Sequence, residues 1–338
     1  MIEPIYAASE SRYEKMPYRR CGRSGVLLPA ISLGLWHNFG SMKPFQEVKA
    51  MAHYAFDHGI CHFDLANNYG PTFGTAEENF GKLMATSLKP YRDELFISTK
   101  AGWSMWPGPY GNWGSRKYLM ASLDQSLKRM NLDYVDVFYS HRYDPATPIE
   151  ETMQALVDAV RQGKALYAGF SRYPAQQAAE AFRYLAERDV PCLLYQDRYN
   201  INQRTPAEEG QLDLSREFGA GFIAFSPLQQ GMLTNRYLEG IPADSRMGRG
   251  ALPQTLRNDT MLEALRELDA VARRRGQSLA GMALSWLLRD ERVTSVIIGA
   301  SSVAQIEDNL KATEAPAFTD EELQEIEALS LKIRQSGI

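Results

Sequence analysis

Four ionisable side chains stand at or just beyond the ends of three apolar runs. Asp64 follows His62-Phe63, Lys100 follows Ile97-Ser98-Thr99, and His141 follows Phe138-Tyr139-Ser140, while Tyr69 lies five residues beyond Asp64. A lysine in apolar surroundings needs a counter-charge, because an unpaired buried charge is costly, and Asp64 can supply it. A tyrosine beside that lysine is expected to have its pKa lowered, since a nearby cation favours the phenolate. A phenol tuned in that way can donate a proton near neutral pH. A histidine can hydrogen-bond a carbonyl oxygen and orient it. The set suits proton delivery to a developing alkoxide, which is carbonyl reduction. Taken alone, each residue reads more simply as structural, an aspartate capping a turn or a lysine reaching solvent. The order in which they close consecutive runs carries the chemical reading. Of the other histidines, His53 and His58 read as helical surface or packing residues, His62 as a packing residue inside a strand, and His37 as a residue able to line a pocket.

Something must hold these ends together. The candidate strands are 31–35, 61–64, 95–100, 134–141, 166–171, 193–196, 221–226 and 295–299. Most are nearly continuous apolar runs, as expected of parallel strands covered on both faces. Between them lie helical stripes. One runs through Phe45, Val48, Met51, Ala52, Ala55 and Phe56 up to Gly59; others pass through Leu119, Leu123, Leu127 and Met130, through Leu156, Val157 and Val160 up to Gly163, and through Met261, Leu265, Leu268 and Val271 up to Gly276. Glycine is a natural stop after a helix. Eight β/α units predict an α/β fold, a closed (β/α)8 TIM barrel, with a doubly wound open sheet as the alternative. Active sites of such barrels form at the C-terminal ends of the strands, where the four residues fall. The stretch 18–29, with Gly22 and Gly25 at its turn, predicts a small hairpin capping the barrel bottom, and extra helices are expected near the C-terminus. No linker or repeat interrupts the pattern, so one domain over 1–338 is expected, its core at about 18–332.

The bulk numbers narrow the function. With 44% apolar and 23% charged residues the composition is that of an ordinary soluble protein, and a net charge of -4 offers no footprint for nucleic acid. No apolar run is long enough to span a bilayer, and no secretory signal is visible at the N-terminus. Cys21, Cys61 and Cys192 are odd in number and scattered, which argues against a disulfide framework or a metal site and fits a cytoplasmic protein.

The motifs FDLANNYG, FISTKAG, YVDVFYSHR, GFSRY, IAFSPLQQGMLT and VIIGASSVAQIEDNL, taken together, resemble the aldo-keto reductases over essentially the whole chain. The details are similar to the branch that includes potassium-channel β subunits, and WPGPYGNWGSRKYLMASLDQSLKRM resembles bacterial L-glyceraldehyde 3-phosphate and methylglyoxal reductases of that branch. The resemblance implies a catalytic tetrad of Asp64, Tyr69, Lys100 and His141, with Tyr69 as general acid, and NADPH as cofactor. It places Ser171, Arg172 and Gln196 at the nicotinamide carboxamide and Phe225 against the nicotinamide ring. Ser226, Pro227, Leu228, Gln230 and Gly231 would line the pyrophosphate, and Arg236 and Arg246 a strap over the dinucleotide. Gly299, Ser301, Gln305, Asp308 and Asn309 would meet the adenosine end, and Trp36 and Asp64 would also touch the cofactor. Ser302 stands where many relatives carry a lysine or arginine for the 2′-phosphate. Assembly into tetramers or octamers is implied as well. Without the surrounding motifs, Phe225 would read as core packing and 305–309 as a solvated helix face.

The loop after the third candidate strand holds Trp103, Trp106, Tyr110 and Trp113. With Trp36 and Phe39 it is expected either to roof the pocket or to form a packed loop or subunit contact. Arg116 and Arg142 are expected to flank the mouth and meet a substrate phosphate. Trp36, Tyr69, Trp103, His141 and Arg142 are thus the substrate-contacting candidates, and a small aldehyde is the expected partner. Two other classes compete: a dinucleotide-sensing binding subunit, and a Schiff-base aldolase using Lys100. The latter would need a lysine with no paired aspartate.

Overall fold

The computed structural model describes residues 6–240 and 259–336. A strand hairpin, β1 (Tyr18–Arg20) and β2 (Leu27–Pro29), precedes eight parallel strands. These are β3 (Ile31–Gly34), β4 (His62–Asp64), β5 (Phe96–Ala101), β6 (Val135–Ser140), β7 (Ala165–Ser171), β8 (Cys192–Arg198), β9 (Gly221–Phe225) and β10 (Val293–Ile298). They close in chain order, β10 pairing with both β9 and β3, so the barrel reading holds and the open sheet is excluded. The helices are α1 (Phe45–Asp57), α2 (Thr75–Leu83), α3 (Arg116–Met130), α4 (Ile149–Arg161), α5 (Ala175–Ala186), α6 (Thr205–Glu208), α7 (Gln211–Phe218), α8 (Asp259–Arg274), α9 (Leu279–Leu288), α10 (Val303–Leu310) and α11 (Asp320–Gln335).

Local chemistry explains the boundaries. Ser115 caps α3 by accepting from the Tyr118 N–H, and Asn131 ends it in the left-handed region at φ 55°. Each outer helix buries one stripe: in α4, Met153, Leu156 and Val157 turn inward while Glu150 and Glu151 favour the positive end of its dipole. The extra C-terminal helices are α8 and α11, joined by Lys332 to Glu263 and Glu267 (3.3 and 3.0 Å).

The hairpin plugs the barrel bottom. Its Cys21 and Leu28 share one buried cluster with Val137, Tyr139, Leu194, Ile223 and Ile297 from the barrel strands. Gly22 is required there: its φ is +53°, and a Cβ would sit 2.0 Å from the Gly219 carbonyl oxygen. The strands that contribute least to this apolar cluster carry polar side chains instead. Ser32, His62, Asp64, Ser98, Lys100 and Ser295 are all buried. The three cysteines are free and buried. Among the described residues no cluster of histidine, cysteine and carboxylate could hold a metal ion, and no helix is long and apolar enough to cross a membrane.

Candidate active site

Strand pairing assembles the site. β4 and β5 lie side by side with Asp64 opposite Ser98, and β5 pairs with β6, so Asp64, Lys100 and His141 reach one rim at neighbouring strand ends. Lys100 is fully buried and Asp64 2% exposed, with Nζ 2.5 Å from Oδ2. Nζ also donates to the Leu65 carbonyl at 2.7 Å. Asp64 Oδ1 accepts from the Ser98 hydroxyl (2.7 Å) and from Gln196 Nε2 (3.2 Å). Burial lowers the Lys100 pKa, and Asp64 opposes that shift.

Tyr69 leans over this pair from the loop after β4. Lys100 Nζ lies 5.0 Å from its ring centroid, and the His141 ring meets it edge-on at 5.8 Å. Trp36, 46% exposed, has its ring 6.2 Å from that of Tyr69. The phenol's acidity corrects the sequence expectation: its pKa is raised well above 10.0, by burial first and then by Asp64, with Arg172 pulling the other way. His141 is held well below 6.5 by burial and by the cations Lys100, Arg172 and Arg142. It is therefore a neutral imidazole at physiological pH, able to donate one N–H. Its Nδ1 is buried without a hydrogen-bond partner.

Next to the rim lies a second group. β7 and β8 pair Ser171 with Gln196, and the Arg172 N–H donates to the Gln196 carbonyl at 3.1 Å. Arg172 has φ +58°, uncommon outside glycine. The Ser171 hydroxyl is buried with no partner, a cost that a ligand's polar group would remove. Phe225 is half-buried at the end of β9, with the Arg198 guanidinium carbon 5.8 Å from its ring centroid. Beyond it the chain turns sharply, with Ser226, Gln229, Gln230 and Gly231 at φ 53, 46, 58 and 97°. Backbone N–H groups in such turns can cradle an anion. Pro227 is buried and Leu228 half-buried in this turn. Gly299 faces open space: a Cβ there would meet nothing within 4 Å. The α10 N-terminus follows, with Ser302 as its cap and Gln305 Oε1 accepting from the Ser301 N–H at 2.8 Å. The unpartnered Ser171 hydroxyl, the half-exposed Phe225 ring, the turned backbone and the open Gly299 fit a nicotinamide dinucleotide laid across the rim.

Asp308 accepts from the Ser278 hydroxyl at 2.9 Å, Asn309 is buried on the inner face of α10, and Arg236 is exposed in the short turn Asn235–Tyr237. Arg246 lies outside the described residues. Arg116 is not at the mouth: its guanidinium pairs with Asp158 and its backbone N–H with Glu151, tying α3 to α4. Arg142 stays close but is heavily committed. It is sandwiched between Trp103 and Trp113, at 3.8 and 3.5 Å from their ring centroids. Its Nε donates to the Gly102 carbonyl (2.8 Å) and its Nη2 to Asn112 Oδ1 (2.9 Å). The aromatic loop divides its work. Trp103 meets His141 edge-on at 6.3 Å, whereas Trp106 packs on Tyr118 at 5.0 Å.

The sequence reading missed Ser98 and the serines beneath it. Their signal was present as alternation: His62 and Asp64 are two apart, as are Ser98 and Lys100, so each pair points the same way from its strand.

The aldo/keto reductase family model matches residues 30–331. The chain belongs to that family. It is 54% identical over 329 residues, 96% of this chain and 95% of the relative, to the L-glyceraldehyde 3-phosphate reductase of Escherichia coli strain K12. It is 38% identical to a probable voltage-gated potassium channel subunit beta of Oryza sativa subsp. japonica, covering 93% and 96% of the two chains, and 36% identical to one of Arabidopsis thaliana, covering 92% and 96%. As an aldo/keto reductase the protein is an oxidoreductase, of a family that generally uses NADH or NADPH.

Proposed function

We propose that this protein uses NADPH to reduce small aldehydes to primary alcohols, with L-glyceraldehyde 3-phosphate or methylglyoxal as substrate and Tyr69 as proton donor. The buried Lys100–Asp64 pair under Tyr69, with neutral His141 edge-on to the phenol, carries this reading. When bound, the reduced nicotinamide supplies a hydride to the carbonyl carbon. Ser171, Arg172 and Gln196 would hold its carboxamide, and Phe225 would cover one face of its ring. His141 donates a hydrogen bond to the carbonyl oxygen and fixes its position. As that oxygen gains negative charge, Tyr69 passes it the phenolic proton, and Arg172, the cation that favours its ionisation, steadies the phenolate left behind beside Lys100. The raised resting pKa keeps the phenol protonated until then, so the proton is present when it is needed. Trp36 and Trp103 flank the aldehyde and exclude water, which strengthens each of these interactions. The phosphate preference rests on the arginines: Arg172 and Arg142 both lower the His141 pKa, and burial, with Arg172 nearby, lowers that of Arg142. We extend the proposal to one barrel domain over 1–338, to a cytoplasmic protein and to a homo-oligomer.

The Tyr69→Phe variant tests the mechanism. It should bind NADPH as tightly as the wild type, read by quenching of tryptophan fluorescence, and lose about 10²–10⁴ in kcat. Near-normal turnover would remove Tyr69 from proton transfer. Parallel kcat/KM values for NADPH and NADH test the cofactor preference, and equal values would overturn it.

A further inference from the structure

A line of hydrogen bonds runs through the barrel interior beneath the site. It joins the Pro29 carbonyl to Ser295 (2.7 Å), Ser295 to Ser32 (2.6 Å), Ser32 to His62 Nδ1 (2.8 Å), His62 Nε2 to Ser98 (3.1 Å) and Ser98 to Asp64 Oδ1 (2.7 Å). Every side chain in it is buried, and it connects four adjacent strands, β10, β3, β4 and β5. Its ends are both acceptors, a carbonyl and a carboxylate. Each of the five links needs one proton. Three hydroxyls supply three, and a neutral imidazole supplies one more, so one link stays empty.

The site decides the polarity of the rest. Asp64 is ionised as the partner of Lys100 and can only accept, so Ser98 donates upward to Oδ1. Ser98 then has only lone pairs left for His62, whose Nε2 must carry the hydrogen. Its Nδ1 accepts from Ser32. The empty link falls at the far end of the chain, at Ser295, whose one hydroxyl proton has both Ser32 and the Pro29 carbonyl as acceptors.

We propose that His62 is a positioning residue of the reductase site: as the Nε2–H tautomer it fixes the Ser98 hydroxyl toward Asp64 Oδ1, leaving Oδ2 aimed at Lys100. This rests on the reading of the site given above. Its basis is geometric. Two carboxylate oxygens have two separate duties, and a free Ser98 rotor would let the carboxylate turn away from the ammonium. Polarised chains of this kind strengthen one another in a low-dielectric interior. The tetrad is thereby tied through His62 to Ser32 on β3.

Two measurements test the proposal in the intact protein. In the first, two-bond ¹H–¹⁵N correlation spectra of histidine-labelled wild type report the tautomer. The expected result is Nε2–H for His62, shifted toward a tautomer mixture in Ser98→Ala. A Nδ1–H tautomer or an imidazolium at neutral pH would overturn the proposal. In the second, kcat with NADPH and methylglyoxal is measured for His62→Leu, Ser98→Ala and the double variant. Each single change should lower kcat about tenfold with cofactor affinity unchanged, and the double should be no more than about threefold worse than either, because the two act in series. Independent losses multiplying to about a hundredfold, or a His62→Leu kcat within about twofold of wild type, would overturn it. Should His62→Leu not fold, Ser98→Ala and the wild-type spectra still decide the point. A wild type inactive toward every aldehyde would overturn the reductase reading, while the tautomer measurement would read the chain without turnover.

Discussion

Replacing Lys100 with methionine isolates the interaction on which the site is built. The side chain is fully buried, and its ammonium is the only cation in contact with Asp64 among the described residues. Methionine fills most of the space and leaves the carboxylate behind. Ser98 and Gln196 would still serve Oδ1, but Oδ2 would lose its donor. Breaking a buried pair in this way costs about 3–5 kcal/mol, because the surviving charge keeps its desolvation penalty and loses its compensation. At about 2 °C per kcal/mol for a large domain, the Tm should fall by about 6–10 °C. The double variant Lys100→Met/Asp64→Asn removes both charges and keeps a hydrogen-bonding group beside Ser98. It should recover most of that loss, since replacing a whole buried pair is often close to neutral. Differential scanning calorimetry of wild type, Lys100→Met, Asp64→Asn and the double variant gives the cycle. If Lys100→Met melted with the wild type, or the double variant were less stable than Lys100→Met, the ion pair would not be charged as described. Both variants should be inactive, so stability and activity separate.

Three further outcomes follow from the geometry. Burial pushes the His62 pKa down from 6.5 to about 4, with Asp64 raising it and Lys100 lowering it; the unfolded chain therefore binds the proton first as pH falls, and stability should drop by about 3 kcal/mol between pH 6.5 and 4, a slope that His62→Leu should flatten in urea titrations. His141 is held well below 6.5, so kcat/KM should show no inflection near that pH, and an acid limb centred there would contradict a neutral imidazole donor. Arg142→Ala should lower kcat/KM for L-glyceraldehyde 3-phosphate about 10- to 100-fold more than for methylglyoxal, in line with loss of a hydrogen bond to a charged group; equal losses would leave Arg142 as a strut between Trp103 and Trp113 only.

Much of the architecture was legible because parallel strands buried on both faces are written as apolar runs and glycines mark the helix ends. The runs at 95–100 and 134–141 lie within a residue of β5 and β6. The hairpin was legible from Gly22, whose left-handed φ and contact with Gly219 exclude a side chain. Arg116 was misplaced because proximity in sequence to the aromatic loop says nothing of direction. As the first residue of α3 it points along the outer helix layer toward Asp158. The interior polar chain went unread because His62, Ser98, Ser32 and Ser295 look unremarkable within their own strands. Their meaning arises only when closure brings β10 beside β3, a contact between residues more than 260 positions apart.

The acidity of Tyr69 shows where reasoning from neighbours fails. Its neighbours were identified from sequence, and the sign of their effect was not. A lone lysine lowers a phenol's pKa, but Lys100 is not alone: Asp64 lies 2.5 Å from it, so the pair presents little net charge to the ring above. What remains is burial, which opposes the phenolate, and the residual field of Asp64, which does the same. Arg172, from a strand three places round the barrel, is the cation that actually favours ionisation. The pairing that makes Lys100 tolerable in the interior therefore also keeps Tyr69 protonated at rest. Acidity must then rise with the negative charge that develops on the substrate oxygen, and the phenol acts as a donor only when there is something to receive its proton.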